Sequence, residues 1–186
     1  SPGPVIQTFR VQPDLVEACR WRGLITVANA AMIAQQIERY PEAKQQIIVA
    51  DMVVLNHCDH SSTADIDAAY ATVRTLNPFA EIRKATYADV SETDLWDSML
   101  DTRSWCLDNL NAAHGHSDLQ TLSMKHERPV SLHTLKMFLQ FLSARNANRI
   151  VRMKGVFRCE GQRNALVVNG VHQWLEFGPI EMAAPQ

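Results

Sequence analysis

The chain has 186 residues, 46% hydrophobic and 20% charged, with 18 Lys+Arg against 20 Asp+Glu and a formal net charge of −2, the composition of an ordinary globular protein of one or two domains. Seven Gly and eight Pro exclude collagen-like and low-complexity character, and no apolar run approaches the roughly 18 residues that a membrane span needs. The charge is uneven, 9 basic and 15 acidic groups in residues 1–116 against 9 and 5 in residues 117–186, which suggests two units of opposite potential.

The opening Ser1-Pro2-Gly3-Pro4 has neither the basic start nor the apolar run of a signal peptide, and with no Met at position 1 the sequence reads as a fragment of a longer chain. Pro13 to Cys19 has a helical pattern, followed by a β-branched strand over Leu24–Ala28, a helix over Ala30–Arg39 that ends before Pro41, and a short helix around Ala43–Val49. Met52–Leu55 is apolar on both faces, as a strand buried in a parallel sheet must be. A helix over Asp65–Leu76 places Ile66, Ala69, Tyr70, Val73 and Leu76 on one stripe, with Thr63 or Asp65 as N-cap and Asn77-Pro78 as its stop. Ile82–Thr86 reads as a further strand and Asp94–Leu110 as a closing helix, so the first unit is an open α/β sheet.

Near residue 113 the pattern changes, giving an α/β unit over 1–112 and an α+β unit over 113–186. Leu119–Met124 is expected as a strand, and Ser131 as the cap of a helix with Leu132, Leu135, Phe138, Leu139 and Leu142 inward. Ile150–Cys159 alternates between Val151, Met153, Phe157 and Cys159 on one face and Arg152, Lys154 and Arg158 on the other. In Leu166–His172, Asn169-Gly170 reads as a two-residue hairpin turn.

Asn56-x-x-Asp59 directly follows the apolar strand. In nucleotide-binding α/β folds the ligand sits beyond the carboxyl ends of the strands. There a carboxylate accepts both the ring N–H and the exocyclic amine of guanine, and an Asn amide donates to the purine N7. The plain alternative is an Asx-turn closing the strand. The stretch Gln45–Asp59, with Leu76-Asn77-Pro78-x-Ala80, His114-x-His116, Arg128-Pro129 and Arg152-x-Lys154-Gly155, resembles the CobW family of P-loop GTPases over almost the whole chain. The resemblance implies the second half of a P-loop GTPase-type open parallel sheet followed by a small α+β C-terminal domain. It also implies GTP with Mg²⁺ in the intact protein, a guanine contact at Asn56, His57 and Asp59, and zinc or cobalt delivered to a metal-requiring client. Metal homeostasis or cobalamin biosynthesis in the cytoplasm would be the setting.

Two departures bear on affinity. The family's Asn-Lys-x-Asp is Asn56-His57-Cys58-Asp59 here, and the shorter His57 cannot pack a long stem along the nucleotide. Its Val-Val-Asp-Ala is Val27-Ala28-Asn29-Ala30. No G-x-x-x-x-G-K-[ST] occurs in the 186 residues, so this stretch alone is not expected to hydrolyse GTP. A non-catalytic interaction module of the same family, with residues 114–177 binding a partner, is the rival reading.

His57-Cys58-x-His60 and His114-x-His116 are the candidate metal ligands, and the resemblance favours the His114/His116 pair; neither has a complete zinc spacing. No G-x-S-x-G elbow supports a hydrolase. The basic strand lacks the interleaved aromatics of a nucleic-acid-binding sheet, so neither nucleic acid nor membrane is an expected partner. Trp21, Trp96, Trp105 and Trp174 are read as core or interface residues. The dispersed Cys19, Cys58, Cys106 and Cys159 fit reduced thiols in a cytoplasmic setting.

Overall fold

The computed structural model describes residues 5, 8–9, 11–19, 23–91, 95, 120, 122–146 and 149–179, in two compact units, Ser1–Thr121 and Leu122–Gln186. In the first unit, α1 (Pro13–Ala18) precedes β1 (Ile25–Asn29), α2 (Ile33–Arg39), α3 (Pro41–Val49), β2 (Met52–Asn56), a 3₁₀ turn (Cys58–His60), α4 (Thr63–Leu76) and β3 (Glu81–Lys84). The strands form one parallel sheet in the order β1-β2-β3, with Asn29 opposite Asn56 and Leu55 opposite Lys84. A parallel sheet requires helical crossovers, and α2, α3 and α4 supply them. Val53 and Leu55 of β2 join Ile33, Ile47, Ala69 and Val73 in one core, while Met52 and Val54 pack on the opposite face with Ala85, Val90 and Leu95. β2 is therefore apolar on both faces because both are covered. The Asp51 carboxylate accepts the Leu24 N–H at 2.9 Å and joins the start of β1 to that of β2.

The two edges of this sheet differ. Glu81, Arg83 and Lys84 charge β3, a feature that discourages further strand pairing. β1 reads Ile-Thr-Val-Ala-Asn with no charge, and Val27 is 58% exposed.

In the second unit, α5 (Leu132–Arg145) packs on an antiparallel sheet of β4 (Arg152–Phe157), β5 (Leu166–Val171) and β6 (Trp174–Pro179), in the order β4-β5-β6. Leu135 and Leu139 of the helix close on Cys159 and Val168, with Met153, Phe157, Leu175 and Phe177 around them. Ser131 caps α5 by accepting the Thr134 N–H at 3.5 Å.

Several expectations are corrected. The cap of α4 is Ser62, one residue before Thr63, with Asp65 as its reciprocal partner. Described residues of 119–124 form no strand; the added pairing comes later, as a single parallel bridge between Val130 and Cys159. Phe138 faces solvent, 55% exposed, because the inward stripe of α5 runs through Leu135 and Leu139. Asn169-Gly170 is not a turn: β5 runs through it, Val171 pairs with Trp174, and the hairpin closes at His172-Gln173 with His172 left-handed at φ 52. Gly170 meets a different need, since a Cβ there would lie 2.7 Å from Leu175 Cδ2. The basic face of β4 is half-buried at Arg152 and Lys154, in a row that runs from Lys154 through Asn169 to Glu176 across the three strands. The expected helix over Asp94–Leu110 lies outside the described residues, apart from Leu95.

Candidate functional site

The carboxyl ends of β1, β2 and β3 form one edge of the first unit, and the residues singled out in the sequence follow β2. Asn56 ends that strand, and its carbonyl accepts the Ala30 N–H at 3.0 Å. Its side chain does not form the local Asx-turn. Asn56 Oδ1 accepts the Ala88 N–H at 2.8 Å, across 32 residues of sequence. This bond fixes the amide, and among the described hydrogen bonds Nδ2 has none, so a donor is left for a ligand.

The next residue, His57, is left-handed (φ 62, ψ 32), a conformation that His adopts more readily than most side chains. Its carbonyl accepts the Ser61 hydroxyl at 2.8 Å and the His60 N–H at 3.1 Å, winding residues 58–60 into the 3₁₀ turn. Cys58 is held on both sides: its N–H donates to the Ala85 carbonyl at 3.2 Å and its thiol to the Leu55 carbonyl at 3.1 Å. Asp59 stands on this turn with Oδ2 3.1 Å from His60 Nε2. His60 is largely exposed, so the pair is a weak surface contact. It engages one of the two carboxylate oxygens.

The loop after β3 completes the edge. Tyr87 and Ala88 are consecutive left-handed residues, φ 54 and 56, and the Asp89 N–H returns to the Thr86 carbonyl at 3.0 Å. Asn29, opposite Asn56 in the sheet, turns its Oδ1 to the Ala31 N–H at 3.0 Å and thereby shapes its own loop.

Asn56 thus ends β2 half-buried, with His57 and Asp59 exposed on the turn that follows. The loop that orients Asn56 leaves no signal in the sequence, because Ala88 acts through its backbone. Asn77, expected as a helix stop and as part of the family-like Leu76-Asn77-Pro78-x-Ala80, has a further role. It is 2% exposed, and its Nδ2 reaches the carbonyls of Ile47, Ile48 and Ala50 at 2.9, 3.0 and 2.8 Å. Among the described residues no three His, Cys, Asp or Glu side chains converge as metal ligands, those of His57-Cys58-x-His60 included. His114 and His116 lie outside the described residues. Cys19, Cys58 and Cys159 are free thiols, and no described helix is long and apolar enough to cross a membrane.

Residues 1–84 match the family described as "CobW/HypB/UreG, nucleotide-binding domain", and residues 119–186 match "Cobalamin synthesis protein cobW C-terminal domain". The zinc chaperone YjiA of Escherichia coli (strain K12) is 23% identical over 182 residues, which cover 93% of this chain and 55% of YjiA. The fold matches the crystal structure of Zn(II)-bound YjiA GTPase from E. coli with a TM-score of 0.66 at 19% identity, covering 96% of this chain and 57% of that one. A Zn(II)-bound triple mutant of YjiA matches with the same TM-score at 20% identity. The chain spans a little over half the length of these relatives.

Proposed function

Because the chain belongs to the CobW family, matched in both its nucleotide-binding and its C-terminal domain, we propose that these residues are the base-reading part and the C-terminal domain of a GTP-binding metallochaperone. The observation that carries this reading is the Asn56–Ala88 bond, which leaves the Asn56 Nδ2 donor uncommitted at the carboxyl edge of a parallel sheet, three residues before Asp59. That edge is where such folds meet nucleotides. Asn56 Nδ2 donates to the purine N7, and the Asp59 carboxylate accepts the guanine ring N–H and exocyclic amine. His57 borders the base with a shorter side chain than the Lys of the family pattern.

The phosphates and Mg²⁺ of GTP are held by residues outside these 186, which contain no G-x-x-x-x-G-K-[ST]. In the same reading the sheet continues beyond β1, and the uncharged edge of that strand supports this. The metal is cargo, zinc or cobalt, passed to a client protein. His114 and His116 are the proposed ligands within this chain, and the free thiols support a cytoplasmic setting.

Calorimetry tests the nucleotide side. The chain alone is expected to bind guanosine weakly, to prefer it over adenosine, and to show no GTP hydrolysis. Asp59→Ala should remove the preference, a loss of roughly tenfold or more in discrimination for a paired contact. An unchanged preference in Asp59→Ala would reduce Asn56-x-x-Asp59 to a turn, and tight Mg²⁺-dependent binding of GTP by this chain would overturn the division of the site.

A further inference from the structure

Hydrogen bonds to the edge of a purine fix its orientation, but its two faces also need apolar contact, because a base left between water and polar groups gains little from leaving solvent. Asn56 and Asp59 supply edge contacts only, and His57 is short. The loop after β3 is bonded to Asn56 and to Cys58, within the same stretch. Cys58 donates to the Ala85 carbonyl, and Ala88 donates to Asn56 Oδ1. Between these two attachment points stands Tyr87, 85% exposed. Among the described residues of the loops that follow β2 and β3, it is the one large hydrophobic side chain that is exposed.

Exposed aromatics are unremarkable in general. This one is a single residue from the amide that fixes Asn56. A tyrosine ring presents a flat apolar body with few torsions to freeze, which suits it to stacking on a base.

We propose that Tyr87 is the stacking platform for the purine ring of the bound nucleotide. The proposal rests on the base-reading role of Asn56 and Asp59 and adds a residue with a different duty. Stacking does not distinguish guanine from adenine, so Tyr87 sets affinity while Asp59 sets choice.

Guanosine and adenosine, titrated into the isotope-labelled full chain and followed by NMR, separate the two. Guanosine should shift the Asn56 side-chain amide and the Tyr87 ring resonances together, with one dissociation constant. Tyr87→Ala should weaken guanosine and adenosine alike, by roughly fivefold at the lower end of what base–aromatic stacking contributes, and leave their ratio unchanged. Tyr87→Phe should bind as the native chain does, whereas Asp59→Ala should move the ratio. If Tyr87→Ala keeps its affinity while guanosine still shifts Asn56, the stacking role is overturned and the base-reading site stands. If Tyr87→Phe loses affinity as Tyr87→Ala does, stacking is overturned in favour of the hydroxyl. If guanosine shifts neither Asn56 nor Asp59 in the native chain, the site itself fails and the proposal with it.

Discussion

Asn77 shows how much one buried amide can hold together. Its Nδ2 faces three carbonyls at the end of α3, where a helix terminus leaves carbonyls short of partners; that of Ile47 also accepts the Ala50 N–H at 3.3 Å. Its Oδ1 accepts the N–H groups of Phe79 and Ala80 at 3.1 and 3.0 Å. It therefore joins the α3–β2 connection to the α4–β3 connection at the amino ends of the strands, opposite the candidate site. Asn77→Ala would strand buried donors and acceptors at once, and the expected destabilisation is about 3 kcal/mol, measured by urea denaturation. Asn77→Asp should be worse than Ala, because an oxygen in place of Nδ2 would face three carbonyl oxygens. A loss below about 1 kcal/mol for both variants would mean that water replaces the clamp without penalty.

Among the elements, α4 is set by its first turn. The Ser62 N–H donates to Asp65 Oδ2 at 3.1 Å, and the Asp65 N–H donates to Ser62 Oγ at 3.2 Å. The hydrogen bond from the Ser62 side chain, then that from the Ser62 backbone N–H, hold the Asp65 carboxyl below its ordinary value, which is about 3.9. A carboxyl lowered on folding stabilises the fold at pH above its unfolded value, and that contribution is lost as pH falls through the lowered folded value. The melting-temperature difference between the native chain and Asp65→Asn should therefore be largest near neutral pH and shrink below about pH 4. A difference that stays constant across this range would assign the effect to something other than ionisation.

Much of this level was legible in the sequence, because β2 announces itself by an unbroken apolar run and α4 by its stripe and stop. What escaped were positions where a residue serves a neighbour distant in sequence. Gly170 looked like a turn glycine and is a packing glycine. Gly155 is another, since a Cβ there would collide with the Phe157 ring. The true hairpin turn at His172-Gln173 has no glycine to signal it. At the site, Asn56 and Asp59 were readable because their spacing is local, whereas the Ala88 amide that orients Asn56 is brought to it only by the pairing of β2 with β3.

At the scale of the whole chain, each unit has its own core. In Leu122–Gln186 the Val130 N–H donates to the Arg158 carbonyl at 2.9 Å, the Glu160 N–H donates to the Val130 carbonyl at 3.0 Å, and Arg158 Nη2 donates to the Glu127 carbonyl at 3.1 Å. These bonds fasten the segment before α5 to the sheet that the helix covers. We propose that this unit folds independently, although about 65 residues bury a small core and leave a narrow margin of stability. Leu139 is one of the four described residues buried in that core, and Leu139→Ala should cost about 2–5 kcal/mol, comparable to the whole margin of so small a domain. In the full chain, amide exchange should then show β4, β5 and β6 losing protection while β1, β2 and β3 keep theirs. Expressed alone, residues 122–186 should give a near-UV signal from Trp174 that disappears in the Leu139→Ala variant. Loss of protection in both sheets together would show one cooperative unit, and a featureless spectrum for the unmutated segment would mean that its core cannot sustain the fold by itself.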